Sequence, residues 1–176
     1  GDTALSSLTT GSQNTALGGA ALANVTAGDN NVGIGWSVLG LTTTGNQNVA
    51  IGREALYDNT TGGNNTGIGY AALANNTTAS SNTAVGYQSL YSSTTSDENT
   101  ALGTKAAYSN TTGNLNVAIG SSTLYNNTIG DRNVAVGTYA LYTFNPASNA
   151  DTYNVAVGYS ALNLTSTGIN NVAVGG

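Results

Sequence analysis

The sequence predicts an all-β fold, a β-solenoid (β-roll) of stacked 17-residue coils, and three observations carry that prediction. A string of the form Asn, Val or Thr, Ala or Gly, an aliphatic residue and Gly begins at Asn14, Asn31, Asn48, Asn65, Asn82, Asn99, Asn116, Asn133, Asn154 and Asn171, in steps of 17 with one step of 21. Within it, β-branched and aliphatic residues recur at the strand period of two. A glycine then closes every string, from Gly18 to Gly175. A fixed period of this length marks a repeat array, and the unit is too short for a helix pair.

Counting the Asn as position 1, each element follows in order. Positions 1 to 4 read as a strand. The glycine at position 5 is expected where the backbone turns at a φ that L side chains resist. A second apolar spot at positions 8 and 9, as in Ala21-Leu22, Ala55-Leu56 and Ala72-Leu73, is read as a return strand. Thr at 13 and 14 extends it, and Gly, Asp, Asn and Ser at 15 to 17 close the coil with turn chemistry. Coils stacked at about 4.8 Å make about ten turns into a rod on the order of 50 Å long. The array takes in residues 1–176 as one unit, with four extra residues between 143 and 153. Neither end departs from the repeat, as expected for a segment of a longer fibre.

Composition excludes much chemistry. The chain of 176 residues has a formal net charge of -5, only 6% charged residues, and no Cys or His. Three basic residues (Arg53, Lys105, Arg132) cannot neutralise a run of phosphates, so nucleic-acid binding is not expected. Without Cys and His, the usual thiolate nucleophile, general base and metal ligands are missing, and no cofactor, metal or catalytic residue is assigned. The carboxylates fall on turn positions. Asp29, Asp97 and Asp131 share position 16 but sit several turns apart, too scattered for the paired carboxylates of a polysaccharide-degrading spike. No stretch is long and apolar enough for a membrane span.

Three columns of side chains are candidates for contact. The Asn column at position 1 is expected to form an amide ladder. Position 3 is small throughout, including Ala16, Ala50, Ala84, Ala101, Ala118, Ala135 and Ala156. If positions 2 and 4 fill the apolar interior, position 3 faces outward, and this column is read as an oligomer interface. Aromatic residues gather at position 6 (Trp36, Tyr70, Tyr87, Tyr159) and position 10 (Tyr57, Tyr91, Tyr108, Tyr125, Tyr142). Such faces beside amides and hydroxyls suit sugar rings, or else they cover a seam between chains. In the insertion, Phe144 and Tyr153 are read as anchors of an exposed loop that leaves after Tyr142 and contacts a ligand, the alternative being that Phe144 folds back over the coil.

The strings Asn-Val-Ala-Ile-Gly (48–52 and 116–120) and Asn-Val-Ala-Val-Gly (133–137, 154–158 and 171–175) resemble the head repeats of YadA-type trimeric autotransporter adhesins. The fuller unit, such as residues 82–91, also resembles repeats of phage tail fibres. The repeat here is longer than the usual head repeat. The resemblance implies a homotrimer of left-handed β-rolls with the short strands toward the trimer core. The expected function is therefore a structural and adhesive segment of an extracellular, cell-surface or virion fibre, with a host-surface glycan or protein as receptor. The rival is an ice-binding solenoid whose Thr ladder runs along position 13 (Thr26, Thr43, Thr60, Thr77 and on).

Overall fold

The computed structural model describes residues 2–148 and 151–176. Ten three-residue strands form one parallel sheet in chain order: Thr15–Leu17 (β1), Val32–Ile34 (β2), Val49–Ile51 (β3), Thr66–Ile68 (β4), Thr83–Val85 (β5), Thr100–Leu102 (β6), Val117–Ile119 (β7), Val134–Val136 (β8), Val155–Val157 (β9) and Val172–Val174 (β10). Each residue pairs with its equivalent one turn away, as Val49 with Thr66 and Ala118 with Ala135. The chain is therefore a β-solenoid with one strand per coil, and among the described residues there is no helix.

The coil interior is built from positions 1, 3, 8, 9 and 12. Leu22, Leu39, Leu56, Leu73, Leu90, Leu124 and Leu141 at position 9 are fully buried, with Ala50, Ala84, Ala101, Ala118, Ala135 and Ala156 at position 3. The two sets fill one space. A Cβ added to Gly67, at position 3, would lie 3.3 Å from Leu56 Cγ, so a leucine at 9 leaves room only for Ala or Gly at 3. This corrects the expected oligomer interface. Ala50, Ala84, Ala101, Ala118, Ala135 and Ala156 face their own coil and are inaccessible to another chain, while Ala16, near the end of the stack, is partly buried against the same core. Positions 2 and 4 are the ones that point outward.

The return strand is also corrected. Residues 8 and 9 both point inward, which a strand of period two forbids. The backbone achieves it by left-handed residues at 7 and 9, such as Glu54 (φ 59°) and Leu56 (φ 52°), and again at 17, such as Asn64 (φ 59°). Hydrogen bonding between coils nevertheless continues on this side. Glu54 N–H donates to Trp36 O of the turn before (3.0 Å) and Leu56 N–H to Ala72 O of the turn after (2.9 Å). Position 5 does turn as expected, with φ from 124° to 141° across the ten glycines.

The interior polar groups are paired along the axis. Asn48 Oδ1 accepts the backbone N–H of Asn65 (3.0 Å), while its amide donates to Asn31 Oδ1 (3.1 Å) and Gly62 O (2.9 Å). Repeated from Asn14 to Asn171, this is the amide ladder expected at position 1. Position 12 carries a partial second ladder, in which Asn76 Nδ2 donates to Asn59 Oδ1 (2.7 Å) and Asn127 Nδ2 to Asn110 Oδ1 (3.0 Å).

The insertion opens later than expected. Phe144 occupies position 12 and is fully buried, and Asn145 still stacks in register, its Oδ1 accepting from Thr128 Oγ1 (2.7 Å). The chain is back in register at Thr152, whose N–H donates to Asp131 O (3.2 Å). The extra residues thus fall between Asn145 and Asp151, and residues 149 and 150 lie outside the described residues. Phe144 is corrected from exposed ligand contact to core: its ring and Pro146 both pack over Gly130, where an added Cβ would come 2.9 and 3.1 Å from them.

Candidate functional site

The aromatic columns are where the surface departs from plain repeat chemistry. On a strand-like stack, a residue type repeated at one position must meet itself every turn. Tyr91, Tyr108, Tyr125 and Tyr142 at position 10 accordingly stack with centroids 5.3, 5.1 and 5.2 Å apart. Position 6 forms a second ribbon. There Tyr70 stacks on Tyr87 (5.4 Å), and the Arg53 guanidinium lies 4.9 Å from the Trp36 ring and 5.9 Å from Tyr70. Trp36 keeps 53% of its surface exposed, and Tyr70 and Tyr87 are exposed beside it.

The two ribbons converge on a recess of about 320 Å³. Trp36 and Tyr70 of position 6 and Tyr57 and Tyr91 of position 10 line it; Glu54, Asn75 and Gln88 supply polar groups, and Ala71 and Ala74 complete the lining. Glu54 is held by Arg53, whose NH2 nitrogen donates to its Oε1 at 3.1 Å. Of the residues expected to contact a ligand, Trp36, Tyr70 and Tyr91 meet here. Tyr87 continues the position 6 ribbon, and Tyr108 and Tyr125 continue the tyrosine stack away from the recess. Tyr153 is exposed at the far end of the molecule, its hydroxyl donating to Asp151 Oδ2 (3.1 Å) and its ring 5.8 Å from the Arg132 guanidinium. Sequence reading recorded the tyrosine column but not the value of its interruption at Ala74, the signal from which the recess could have been found.

The carboxylates have structural work. At position 16 each side chain accepts a backbone N–H from the turn before: Ser80 N–H reaches Asp97 Oδ1 and Asn114 N–H reaches Asp131 Oδ1, both at 2.6 Å. Arg132 pairs with Asp151. A second recess, of about 310 Å³, gathers Asp97, Glu98, Asp131 and Arg132, yet two of its carboxylates are already engaged with backbone. Asp58 stands apart: burial pushes its carboxyl above the ordinary value. Among the described residues no group of three or more Asp or Glu is arranged to hold a metal ion, and no helix is long and apolar enough to cross a membrane.

The outer face of the sheet is the other candidate surface. Position 4 is aliphatic in all ten turns and position 2 is Val or Thr, so the face carries no charge. Leu17 is 62% exposed on it and Leu102, Val172 and Val174 are exposed as well. Comparison with known protein families, with curated proteins and with solved structures found no match to this chain.

Proposed function

We propose that the chain is a structural and adhesive segment of an extracellular or virion fibre, in which copies associate side by side and present their aromatic ribbons outward. The observation that carries this reading is the charge-free outer face of the ten-stranded sheet, formed by positions 2 and 4 from Thr15 to Val174. An uncharged face with an aliphatic residue at every position 4 marks an interaction site. Because every coil presents a β-branched residue at position 2 and an aliphatic one at position 4 at the same height, the surface best matched to it is a parallel copy of itself. Three copies around an axis, as the resemblance to trimeric adhesin heads implies, would bury all three faces at once.

The ice-binding alternative draws less support. From Thr26 to Thr111 each Thr hydroxyl at position 13 donates to the carbonyl of the next turn, as Thr60 Oγ1 to Thr77 O at 2.9 Å, so this column is occupied holding coils together. Exposed threonines at position 14, such as Thr61 and Thr78, form a single rank.

Sedimentation equilibrium tests the reading. The unaltered chain is expected to sediment with the mass of three copies, and Ile51→Lys with Ile119→Lys, on the outer face, to sediment as a folded monomer. A stable monomer of the unaltered chain, or thermal hysteresis in its solutions, overturns it.

A further inference from the structure

Ala74 removes one rung from the position 10 ladder. Tyr57 and Tyr91 lie two turns apart, roughly 10 Å at the stacking rise, and Ala74 sits between them with no ring to offer. The neighbouring tyrosines show that one ring fills one turn of this column, at 5.1 to 5.3 Å spacing. The Tyr57 ring lies over Gly40 of the preceding turn, where a Cβ would come 2.7 Å from its Cε2. Ala71, at position 7 of the same coil, adds a second small side chain to the lining.

We propose that this recess binds a single pyranose ring of a glycan, sandwiched between Tyr57 and Tyr91 with Trp36 at its side. The assignment rests on the fibre's being an attachment structure and names what it attaches to. Three features select a sugar. Four of its lining residues are aromatic, and the C–H faces of a pyranose stack on aromatic rings. The rim holds a carboxylate and two amides, from Glu54, Asn75 and Gln88, giving acceptors and donors around the ring's edge. Hydroxyls that both donate and accept use all of these, whereas a phenol uses one. A cationic headgroup is disfavoured because Arg53 already lies against Trp36 and Tyr70 and neutralises Glu54. At about 320 Å³ the recess is at the small end of ligand sites and fits one ring, not a chain of them.

Trp36 is the only tryptophan of the chain, so its fluorescence reports the recess directly. The full chain is titrated separately with methyl glucoside, methyl galactoside, methyl mannoside and N-acetylglucosamine, and with p-cresol as the aromatic competitor. At least one sugar is expected to give a saturable change, with a dissociation constant on the order of 1 mM. Ala74→Tyr, which restores the missing rung, is expected to abolish it while circular dichroism and melting stay native. Gln88→Ala supplies a second variant, since Ala20 and Ala71 show that position 7 accepts alanine, and it is expected to weaken the same sugar several-fold. No saturable response to any of the four sugars, response to p-cresol alone, or an unchanged response in both variants overturns the proposal. A trimer without a sugar response loses only the recess, and a monomer with one loses only the assembly.

Discussion

The hydroxyls of Ser93 and Ser96 lie 2.8 Å apart inside the coil, between the amide pairs Asn59–Asn76 and Asn110–Asn127. Their mutual bond interrupts the second ladder and leaves Asn76 Oδ1 buried without a partner. At the other asparagines of position 12, residue 15 is Gly62, Ala79, Gly113 or Gly130, and a Cβ on Gly113 would come 2.5 Å from Asn110 Oδ1. The double change Ser93→Asn, Ser96→Gly is therefore expected to join the two pairs and stabilise the fold by about 1 kcal/mol, the worth of one satisfied buried acceptor. Ser93→Asn alone is expected to gain less. Urea denaturation of the three proteins checks both statements.

The first ladder gives the opposite experiment. Asn48→Ala removes the acceptor for the buried Asn65 N–H, at an expected cost of about 1 to 3 kcal/mol. Thr78→Ala, on the exposed surface, is expected to stay within about 0.5 kcal/mol in the same urea titration.

The backbone strain of each coil is divided between glycine and non-glycine positions, with opposite consequences. At Gly120 (φ 132°) a Cβ would come 2.7 Å from the carbonyl carbon of Gly137, so Gly120→Ala is expected to lower the melting temperature sharply. Glu98 is exposed and left-handed at φ 59°. Glu98→Gly is expected to raise stability by about 0.5 to 1 kcal/mol, relief of the left-handed cost exceeding the entropy gained by the unfolded chain. Equal shifts of the same sign in calorimetry would show that position 5 is not special.

Asp58 predicts a pH signature. Its carboxyl is held above the ordinary value by burial, so the folded state binds a proton more readily than the unfolded chain does. Its contribution to stability is fully present below the unfolded value and is lost as pH rises through the folded one. Asp58→Asn is expected to raise the melting temperature at neutral pH and to make no difference at a pH below the ordinary carboxylate range. A uniform shift at both pH values would assign the effect to packing instead.

The insertion separates core from ornament within a few residues. Phe144→Ala is expected to cost about 3 to 5 kcal/mol, since the fully buried ring supports Gly130 of the coil below. Deleting residues 147–150 restores the 17-residue step and is expected to leave the melting temperature nearly unchanged.

What the sequence made legible was whatever stacking imposes: period, strand, glycine turn and the position 1 ladder all follow from identical residues lying over one another. The orientation of the strand was not legible from position 3 alone, because alanine suits a thin interior and a close interface equally. The deciding signal lay past the glycine turn, in the paired burial of residues such as Ala55 and Leu56, which no extended strand permits. The position 16 acceptors were missed for a related reason. Asp97 and Asn114 look like turn residues in one coil, and their role exists only between coils. The recess was hidden because it is an absence, one alanine where its column carries rings.

Nearly every hydrogen bond that joins one coil to another spans about 17 residues, as from Asn48 to Asn31 or Thr77 to Thr60. Energetically the rod is then a one-dimensional chain in which a coil knows only its two neighbours. Whole units could be added or removed without redesigning the contacts between the remaining coils. Reach would change by about 4.8 Å each time, so length is a dial that heredity can turn independently of fold, while the single Ala74 gap stays at a fixed height from which such changes carry it nearer to or farther from the tip.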